Sequence, residues 1–144
     1  MFKHKIVTFL LILSLFSTYI LAETITKDHL DTLNGNWHLW AMNKKDVRKA
    51  RAILDFHSGE MLLSGFDGCN RISGHLQSIT NTQFSTTLTS TKMACRQSIH
   101  RYVRKHLHAT IKEGFSINKS TRYGVEGITL KSKSHDLFFQ RMGE

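Results

Sequence analysis

Alternating apolar and polar residues predict that most of the chain after residue 33 forms β-strands. Successive side chains of a strand point to opposite faces, so one buried face gives a period of two. Short runs of this kind recur between turn-forming residues, and two of the connections are expected to be hairpins, around Ser58-Gly59 and Ser134-His135-Asp136. The predicted strands cover residues 37–42, 52–56, 60–65, 74–78, 83–88, 115–119, 128–131 and 137–141.

One segment, from about residue 94 to 112, has the spacing of an amphipathic helix. Its buried stripe is expected to consist of Ile99, Tyr102, Val103, His106, Leu107 and Ile111. Thr91 is the predicted N-cap, and Gly114 is the predicted stop. The elements together predict an α+β fold, a single small domain in which a strongly bent, barrel-like antiparallel sheet packs against this helix.

The N-terminus has the pattern of a secretory signal peptide. Lys3 and Lys5 precede an almost wholly apolar run over residues 6–16, and Ala22 stands before a polar segment. A membrane anchor needs roughly 20 apolar residues, more than this run supplies; an uncleaved signal is the alternative. We therefore expect a signal peptide over 1–22, a polar lead-in over 23–32 and one domain over 33–142 of a periplasmic or secreted bacterial protein.

The charge of the chain predicts attraction to anionic partners. The formal net charge is +9, and loss of Lys3 and Lys5 with the signal leaves +7. Much of this charge lies on or beside the predicted helix, where the candidate residues for binding an anion or a partner are Arg96, Arg101, Arg104, Lys105 and Lys112. A basic face of this kind either binds phosphates or an acidic protein, or is simply solvated. Nucleic acid is disfavoured because the protein is expected outside the cytoplasm and the aromatic residues do not interleave with the cations.

Two cysteines, Cys69 and Cys95, predict a disulfide, because an even pair in an oxidising compartment is most simply a bridge. The alternative is a nucleophilic Cys95 at the start of the helix, with His100 as its base. That chemistry also needs an orienting Asn or Asp and a cleft, for which the sequence offers no candidate.

Other catalytic and metal-binding arrangements find little support. His100, His106 and His108 are spaced six and two apart, whereas a helical metal pair is spaced three or four apart. The few carboxylates fall near turns and strand ends, and the chain contains no hydrolase elbow, phosphate-binding glycine loop or zinc-protease motif. We predict a protein that is not an enzyme and that uses no metal or cofactor.

Three motifs stand in order along the chain, L-N-G-N-W-H-L at 33–39, G-F-D-G-C-N-R-I-S-G at 65–74 and S-T-K-M-A-C at 90–95. Their order and spacing resemble the META domain of the HslJ-like heat-shock proteins, and residues 127–130 with 137–141 resemble the closing hairpin of that domain. The resemblance covers about residues 33–141. The residues that carry the fold motifs are Trp37, Gly65, Gly68, Asn70, Gly74, Thr91 and Met93. The glycines are expected to adopt backbone angles that other residues resist, and Asn70 to stabilise a local turn.

The resemblance implies a small non-enzymatic envelope protein connected with heat shock and the stress response. Members of the family usually carry Pro after the second Cys and an acidic residue early in the helix. This chain has Arg96 after Cys95, and Ile99-His100-Arg101 stand where the acid is expected, so the helix is strongly basic. Our hypothesis is that the basic helix binds an anionic envelope component, such as a lipid, or an acidic protein. The alternatives are a secreted or periplasmic inhibitor or effector of one specific protein, and an architectural subunit of an envelope assembly.

Overall fold

The computed structural model describes residues 22–143, in which a main antiparallel sheet packs against one α-helix, α1 (Ser98–Glu113). The strands are β1 (Gly35–Met42), β2 (Lys45–Asp46), β3 (Ile53–His57), β4 (Leu62–Phe66), β5 (Arg71–His75), β6 (Gln77–Ser78), β7 (Phe84–Ser85), β8 (Thr89–Ser90), β9 (Ser116–Arg122), β10 (Val125–Lys131) and β11 (Asp136–Arg141). Short 3-10 helices cover Lys27–Leu33, Arg48–Ala50 and Ser58–Glu60. The predicted α+β class, a mainly antiparallel sheet with one helix in a small single domain, is confirmed.

The main sheet is open. Its strands follow the order β8-β5-β4-β3-β1-β11-β10-β9, with β2 added beside β1, and β6 and β7 form a separate pair. β8 and β9 stand at the two ends of this order, so the sheet is not closed into a barrel in the part of the chain that is described. The barrel-like part of the prediction is therefore not confirmed. Strand β1 lies at the centre and pairs with both β3 and β11.

The core forms where the apolar stripes of the sheet and helix meet. Trp37, Leu39 and Ala41 of β1 are buried, as the period of two predicts. The same period places Met42 on the opposite face of β1, but Met42 is also buried, because the β1–β11 pairing shifts register between Leu39 and Ala41. From α1 the fully buried apolar residues are Val103, Leu107 and Ile111, and Ile99 and Tyr102 pack against the core while partly exposed.

The helix begins later than the sequence predicts. Its first residue is Ser98, its N-cap is Gln97, and no side chain caps it. Thr91 is not the N-cap, because its hydroxyl is bonded to the side chain of Asn70 and residues 91–95 cross the β4–β5 loop in a non-helical conformation. A tertiary contact thus replaces the local capping signal. Gly114 follows the last helical residue, as predicted, with a φ of 104°.

Two predicted strands differ in the structure, since one is divided and the other is shorter than predicted. The segment 74–78 is shared between β5 and β6, which are separated by Leu76; this residue is buried and donates its amide hydrogen to the carbonyl of Met61. The segment 83–88 contains β7, and β8 follows it at Thr89–Ser90. β7 ends where the chain reaches the end of α1, since the amide of Thr86 bonds the carbonyl of Ile111.

The segment before the first motif packs onto the domain. Thr24 forms a β-bridge with Asn118 of β9, and Ile25 and Leu30 are buried. The predicted signal peptide, 1–22, lies outside the described residues except for Ala22. Between residues 22 and 143 no helix is both long and apolar enough to cross a membrane.

Candidate functional site

The disulfide joins the β4–β5 loop to the segment that leads into α1. Cys69 and Cys95 are bonded, with their Cα atoms 5.4 Å apart, as the sequence predicts. Because both sulfur atoms are used in this bond, Cys95 is not available as a free nucleophile. The bond fixes the start of the helix against the loop that contains residues 67–70.

Asn70 adds a second link between the same two segments. Its side chain is buried, and its Oδ1 accepts hydrogen bonds from the amide of Met93 at 2.6 Å and from the hydroxyl of Thr91 at 3.0 Å. The sequence predicted that Asn70 would stabilise a local turn, but its side chain instead holds a segment more than 20 residues away. The motif around the first cysteine and the motif around the second therefore form one junction.

The turn itself is held by Asp67, which is fully buried. Its Oδ1 accepts the amide hydrogens of Cys69 at 2.8 Å and Asn70 at 2.7 Å, the geometry that the sequence assigned to Asn70. Its Oδ2 lies 2.7 Å from Nε2 of His108 and 3.8 Å from Nε of Arg104. A buried carboxylate is tolerated when it is paired in this way.

The charge of Asp67 follows from these contacts. Burial raises the pKa of a carboxyl group, but the hydrogen bonds from His108 and from the amides of Asn70 and Cys69 lower it by more, so that the pKa of Asp67 falls below its ordinary value. The carboxylate is therefore ionised at neutral pH and neutralises part of the charge of α1 from beneath.

The motif glycines serve this arrangement in different ways. Gly65 has a φ of 149°, and a Cβ there would lie 2.0 Å from the carbonyl oxygen of Ile53. Gly68 has a φ of 94°, and its carbonyl oxygen is bonded by Nδ1 of His100. Gly74 does not need an unusual backbone angle, contrary to the sequence prediction; it is needed for space, since a Cβ there would lie 2.7 Å from the hydroxyl of Thr86.

Beside the junction lies an open depression of about 510 Å³, which we call the cationic depression. It is lined by Met93, Ala94, Cys95, Arg101, Arg104, Lys105 and His108. Arg101 donates hydrogen bonds to the carbonyls of Cys95 and Arg96, so it also closes the segment before the helix. Met93, with 69% of its surface exposed, gives the depression an apolar rim.

The five predicted cations do not all belong to this depression. The structure brings Arg101, Arg104 and Lys105 together, whereas Arg96 and Lys112 are exposed but do not line it. Of the fold-motif residues, Met93 lines the depression, and Trp37 lies elsewhere, with its indole nitrogen bonded to the carbonyl of Leu33.

The three helical histidines have separate partners. His100 bonds the carbonyl of Gly68, His108 bonds Asp67, and Nδ1 of His106 lies 2.8 Å from Nε2 of His135 in the β10–β11 turn. Within residues 22–143, no group of three or more His, Cys, Asp or Glu side chains is arranged to hold a metal ion. Sequence reasoning missed Asp67–His108 and His106–His135 because these pairs are 41 and 29 residues apart and carry no local signal.

The fold and site together define a small α+β domain in which two disulfide-linked segments flank a cationic depression. The model of the META domain family matches residues 29–143, and the chain belongs to this family. The resemblance seen in the three sequence motifs is thereby confirmed.

Two solved structures have a similar fold. One, an NMR structure of a protein from Burkholderia xenovorans, is 20% identical with a TM-score of 0.63, over 89% of this chain and 96% of that one. The other, also an NMR structure, is 22% identical with a TM-score of 0.62, over 81% of this chain and 95% of that one. The comparison with curated proteins gives no match.

Proposed function

We propose that this META-domain protein is an exported, non-enzymatic binding protein of the stress response, and that its cationic depression binds an acidic segment of another envelope protein. The observation that carries the proposal is the grouping of Arg101, Arg104 and Lys105 around an exposed Met93 on a framework fixed by a disulfide. The connection with stress comes from the HslJ-like heat-shock proteins, which the sequence motifs resemble.

The charge of the depression favours an anionic partner. The side chain of Lys105 makes no hydrogen bond or ion pair with another described residue, and Arg104 has 47% of its side chain exposed. The one carboxylate beneath them, Asp67, is buried and already bonded by His108. The positive potential is therefore directed outward, where it increases the rate of association with an acidic partner.

The shape of the depression and its methionine favour a protein over a lipid surface. The depression is concave, so a projecting segment fits it better than a flat bilayer does. Met93 supplies an apolar contact among the cations, and methionine and arginine are both enriched at protein interfaces. A lipid surface is an outcome of the experiment below.

Export is supported by the disulfide. Structural disulfides persist in oxidising compartments and are rare in the cytosol. The measurement is thiol alkylation of the protein from fractionated cells. We expect the protein in the periplasmic or external fraction with no thiol that reacts before reduction; a cytosolic protein with two alkylated thiols contradicts export.

The experiment for function is covalent crosslinking in intact cells followed by mass spectrometry, with two charge-reversed variants. Lys105→Glu with Lys112→Glu changes cations of the helix that make no hydrogen bond or ion pair with another described residue, whereas Arg101 is retained because it bonds two carbonyls. Lys27→Glu with Lys131→Glu is the matched control, because it changes the net charge equally at exposed positions outside the depression.

We expect one protein to be captured by the wild type and by the control but lost from the helix variant. Equal capture by all three forms contradicts the proposal and makes the helix a solvated face. Capture of lipid alone, with binding to anionic vesicles that is abolished by salt, assigns the depression to a membrane surface instead.

A specific inhibitor or effector of one protein is the second candidate, and the exposure of Met93 is the observation that favours it. The interface between such an inhibitor and its target has a desolvated apolar centre, so this binding resists salt. A diffuse electrostatic contact, in contrast, weakens steeply as the salt concentration rises. Replacement of Met93 by Ser should strongly weaken an interface centred on this side chain, and should weaken a mainly electrostatic contact, to which Met93 only adds, much less.

A further inference from the structure

A second depression, which shares no lining residue with the cationic depression, lies beside the β1–β2 and β9–β10 turns. Its volume is about 300 Å³, and its lining residues are Trp40, Ala41, Lys44, Asp46, Arg48 and Tyr123. We call it the aromatic slot. Its size is at the lower limit of small-molecule sites, enough for one ring-sized group.

Two aromatic side chains form its walls. Trp40 is half-buried on β1, and Tyr123 in the β9–β10 turn has 61% of its surface exposed. Both rings approach the buried ring of Phe138 edge-on, with centroid separations of 6.5 Å for Trp40 and 5.9 Å for Tyr123. Phe138 thus supports both walls and fixes their positions relative to each other.

The ring of Tyr123 packs on Phe138, but its backbone conformation is unusual for a large residue. Its φ is 55°, and Gly124 follows with a φ of 71°, so both residues of the turn are in the left-handed region. Two-residue hairpin turns of this kind prefer Asn, Asp or Gly at the first position, because a bulky side chain is strained there. A strained residue that exposes a large ring to solvent indicates a role in binding.

The rim of the slot carries mixed hydrogen-bonding groups. Arg48 forms a two-pronged contact with the carboxylate of Asp46, with its Nη2 atom 2.7 Å from Oδ2, and its guanidinium lies 4.9 Å from the centre of the Trp40 ring. The hydrogen bond from Arg48 lowers the pKa of Asp46 to about 2, so this carboxylate remains an acceptor at every physiological pH. Lys44, exposed in the β1–β2 turn, adds a donor and leaves two cations against one anion.

We propose that the aromatic slot binds a sugar acid, a six-membered sugar ring that carries a carboxylate, such as a uronic acid unit of a glycan. The apolar C–H face of the ring packs on Tyr123, and the sugar contacts the part of Trp40 that Arg48 leaves uncovered. The hydroxyls pair with Asp46 and Arg48, since a saturated ring with many hydroxyls needs both donors and acceptors. The carboxylate pairs with Lys44, which accounts for the surplus positive charge. The slot is independent of the cationic depression and of the function proposed for it.

The test is an NMR titration of the native, disulfide-bonded protein with three probes. Glucuronate has the ring and the carboxylate, glucose has the ring alone, and gluconate has the carboxylate and hydroxyls on an open chain. The chain has two tryptophans, and the indole signal of Trp37 is an internal control because Trp37 is buried and bonded to Leu33. We expect glucuronate to shift the Trp40 indole signal in a saturable way, glucose to bind about tenfold more weakly, and gluconate to cause no saturable shift.

The variant for this titration is Tyr123→Asn. Asparagine is favoured in the left-handed region, so the substitution removes the ring without straining the turn. We expect the variant to fold with the spectrum of the wild type outside the slot and to lose the glucuronate response. No saturable shift with any probe overturns the site, equal responses to glucuronate and gluconate overturn the role of the ring, and an unchanged response in Tyr123→Asn overturns the role of Tyr123.

Discussion

Two sides of α1 are attached to the rest of the domain by different chemistry. On one side, His108 bonds the buried carboxylate of Asp67, which also accepts two backbone amide hydrogens next to the Cys69–Cys95 disulfide. On the other side, His106 meets the β10–β11 turn, where its Nδ1 lies 2.8 Å from Nε2 of His135. We call the first attachment the covalent junction and the second the histidine junction.

The histidine junction is the less complete of the two. In the described part of the chain, Nδ1 of His135 is buried without a hydrogen-bond partner, and Oε2 of Glu113 lies 3.7 Å from it. The carboxylate of Glu113 instead accepts hydrogen bonds from the hydroxyls of Ser132 and Ser134. The two imidazoles can share one proton, but two protonated rings repel each other at this distance. The cationic depression lies on the side of the helix that carries the covalent junction, since His108 and Cys95 both line it.

The largest expected effect is on the covalent junction. Replacement of both Cys69 and Cys95 by Ser opens a loop with a sequence separation of 26. The chain-entropy estimate for such a loop is about 3–4 kcal/mol, so the free energy of unfolding should fall by that amount. Urea unfolding of the wild type and the double variant measures it. A loss below about 1 kcal/mol would mean that the hydrogen bonds of Asp67 and Asn70, and not the disulfide, provide most of the stability of this junction.

Asp67→Asn should cause the second largest loss in the free energy of unfolding. The substitution weakens the charged contacts with His108 and Arg104, and a hydrogen bond to a charged group contributes about 1.5–3 kcal/mol. Because the pKa of Asp67 is lowered in the folded protein, its contribution is complete above the unfolded value near ~3.9 and is lost as the pH falls through the folded value. Unfolding free energies at pH 7 and pH 3 should therefore differ less in the variant than in the wild type. Equal differences contradict the assigned charge.

The histidine junction should respond to milder acid. Burial lowers the pKa of His106, and the neighbouring His135 and Lys105 lower it further. A histidine with a lowered folded pKa stabilises the protein fully above its unfolded value near ~6.5 and loses that contribution as the pH falls toward the folded value. His106→Gln should cost about 0.5–1.5 kcal/mol at pH 7.5 and less at pH 5. Urea unfolding at the two pH values measures this difference. The carboxylate of Glu113 makes the difference smaller, because its negative charge offsets the repulsion between the two rings in acid. If His106→Gln lowers the free energy of unfolding by the same amount at both pH values, the histidine junction is not a pH-dependent contact.

The smallest effect on stability is expected from Lys105→Glu with Lys112→Glu. Both side chains are exposed, and neither makes a hydrogen bond or ion pair with another described residue, so the free energy of unfolding should change by less than about 0.5 kcal/mol. Thermal unfolding next to Lys27→Glu with Lys131→Glu provides the comparison. A markedly less stable helix variant would mean that its cations support the fold, and a loss of binding could then not be assigned to the surface.

Local periodicity explains why much of the fold could be predicted. The stripe of Val103, Leu107 and Ile111 and the alternation in β1 depend on neighbouring residues alone, and both are present in the structure. The start of α1 could not be predicted in the same way, because Asn70 and the disulfide hold residues 91–95 in a path that the local capping signal does not encode. The face of Met42 depended on a register shift between strands that are distant in the sequence.

The candidate site was predictable only in part. The positions of the basic residues along the chain placed the cations on or beside one helix, and the two cysteines predicted the disulfide. The division of these cations into three that line the depression and two that do not depends on how the 91–95 segment lies across α1. The exposure of Met93 and the burial of Asp67 likewise depend on how the junction folds. Both residues belong to motifs that we interpreted as structural from the sequence.

The most direct test of the account uses two exposed methionines as positions for a photo-crosslinking amino acid. Met93 lies in the cationic depression, with 69% of its surface exposed, and Met142 follows β11, with 46% exposed. The measurement is the set of proteins crosslinked in intact cells from each position. We expect a discrete acidic protein to be captured from position 93 and not from position 142. Capture of the same proteins from both positions, or of none from position 93, contradicts the claim that the cationic depression is a binding surface.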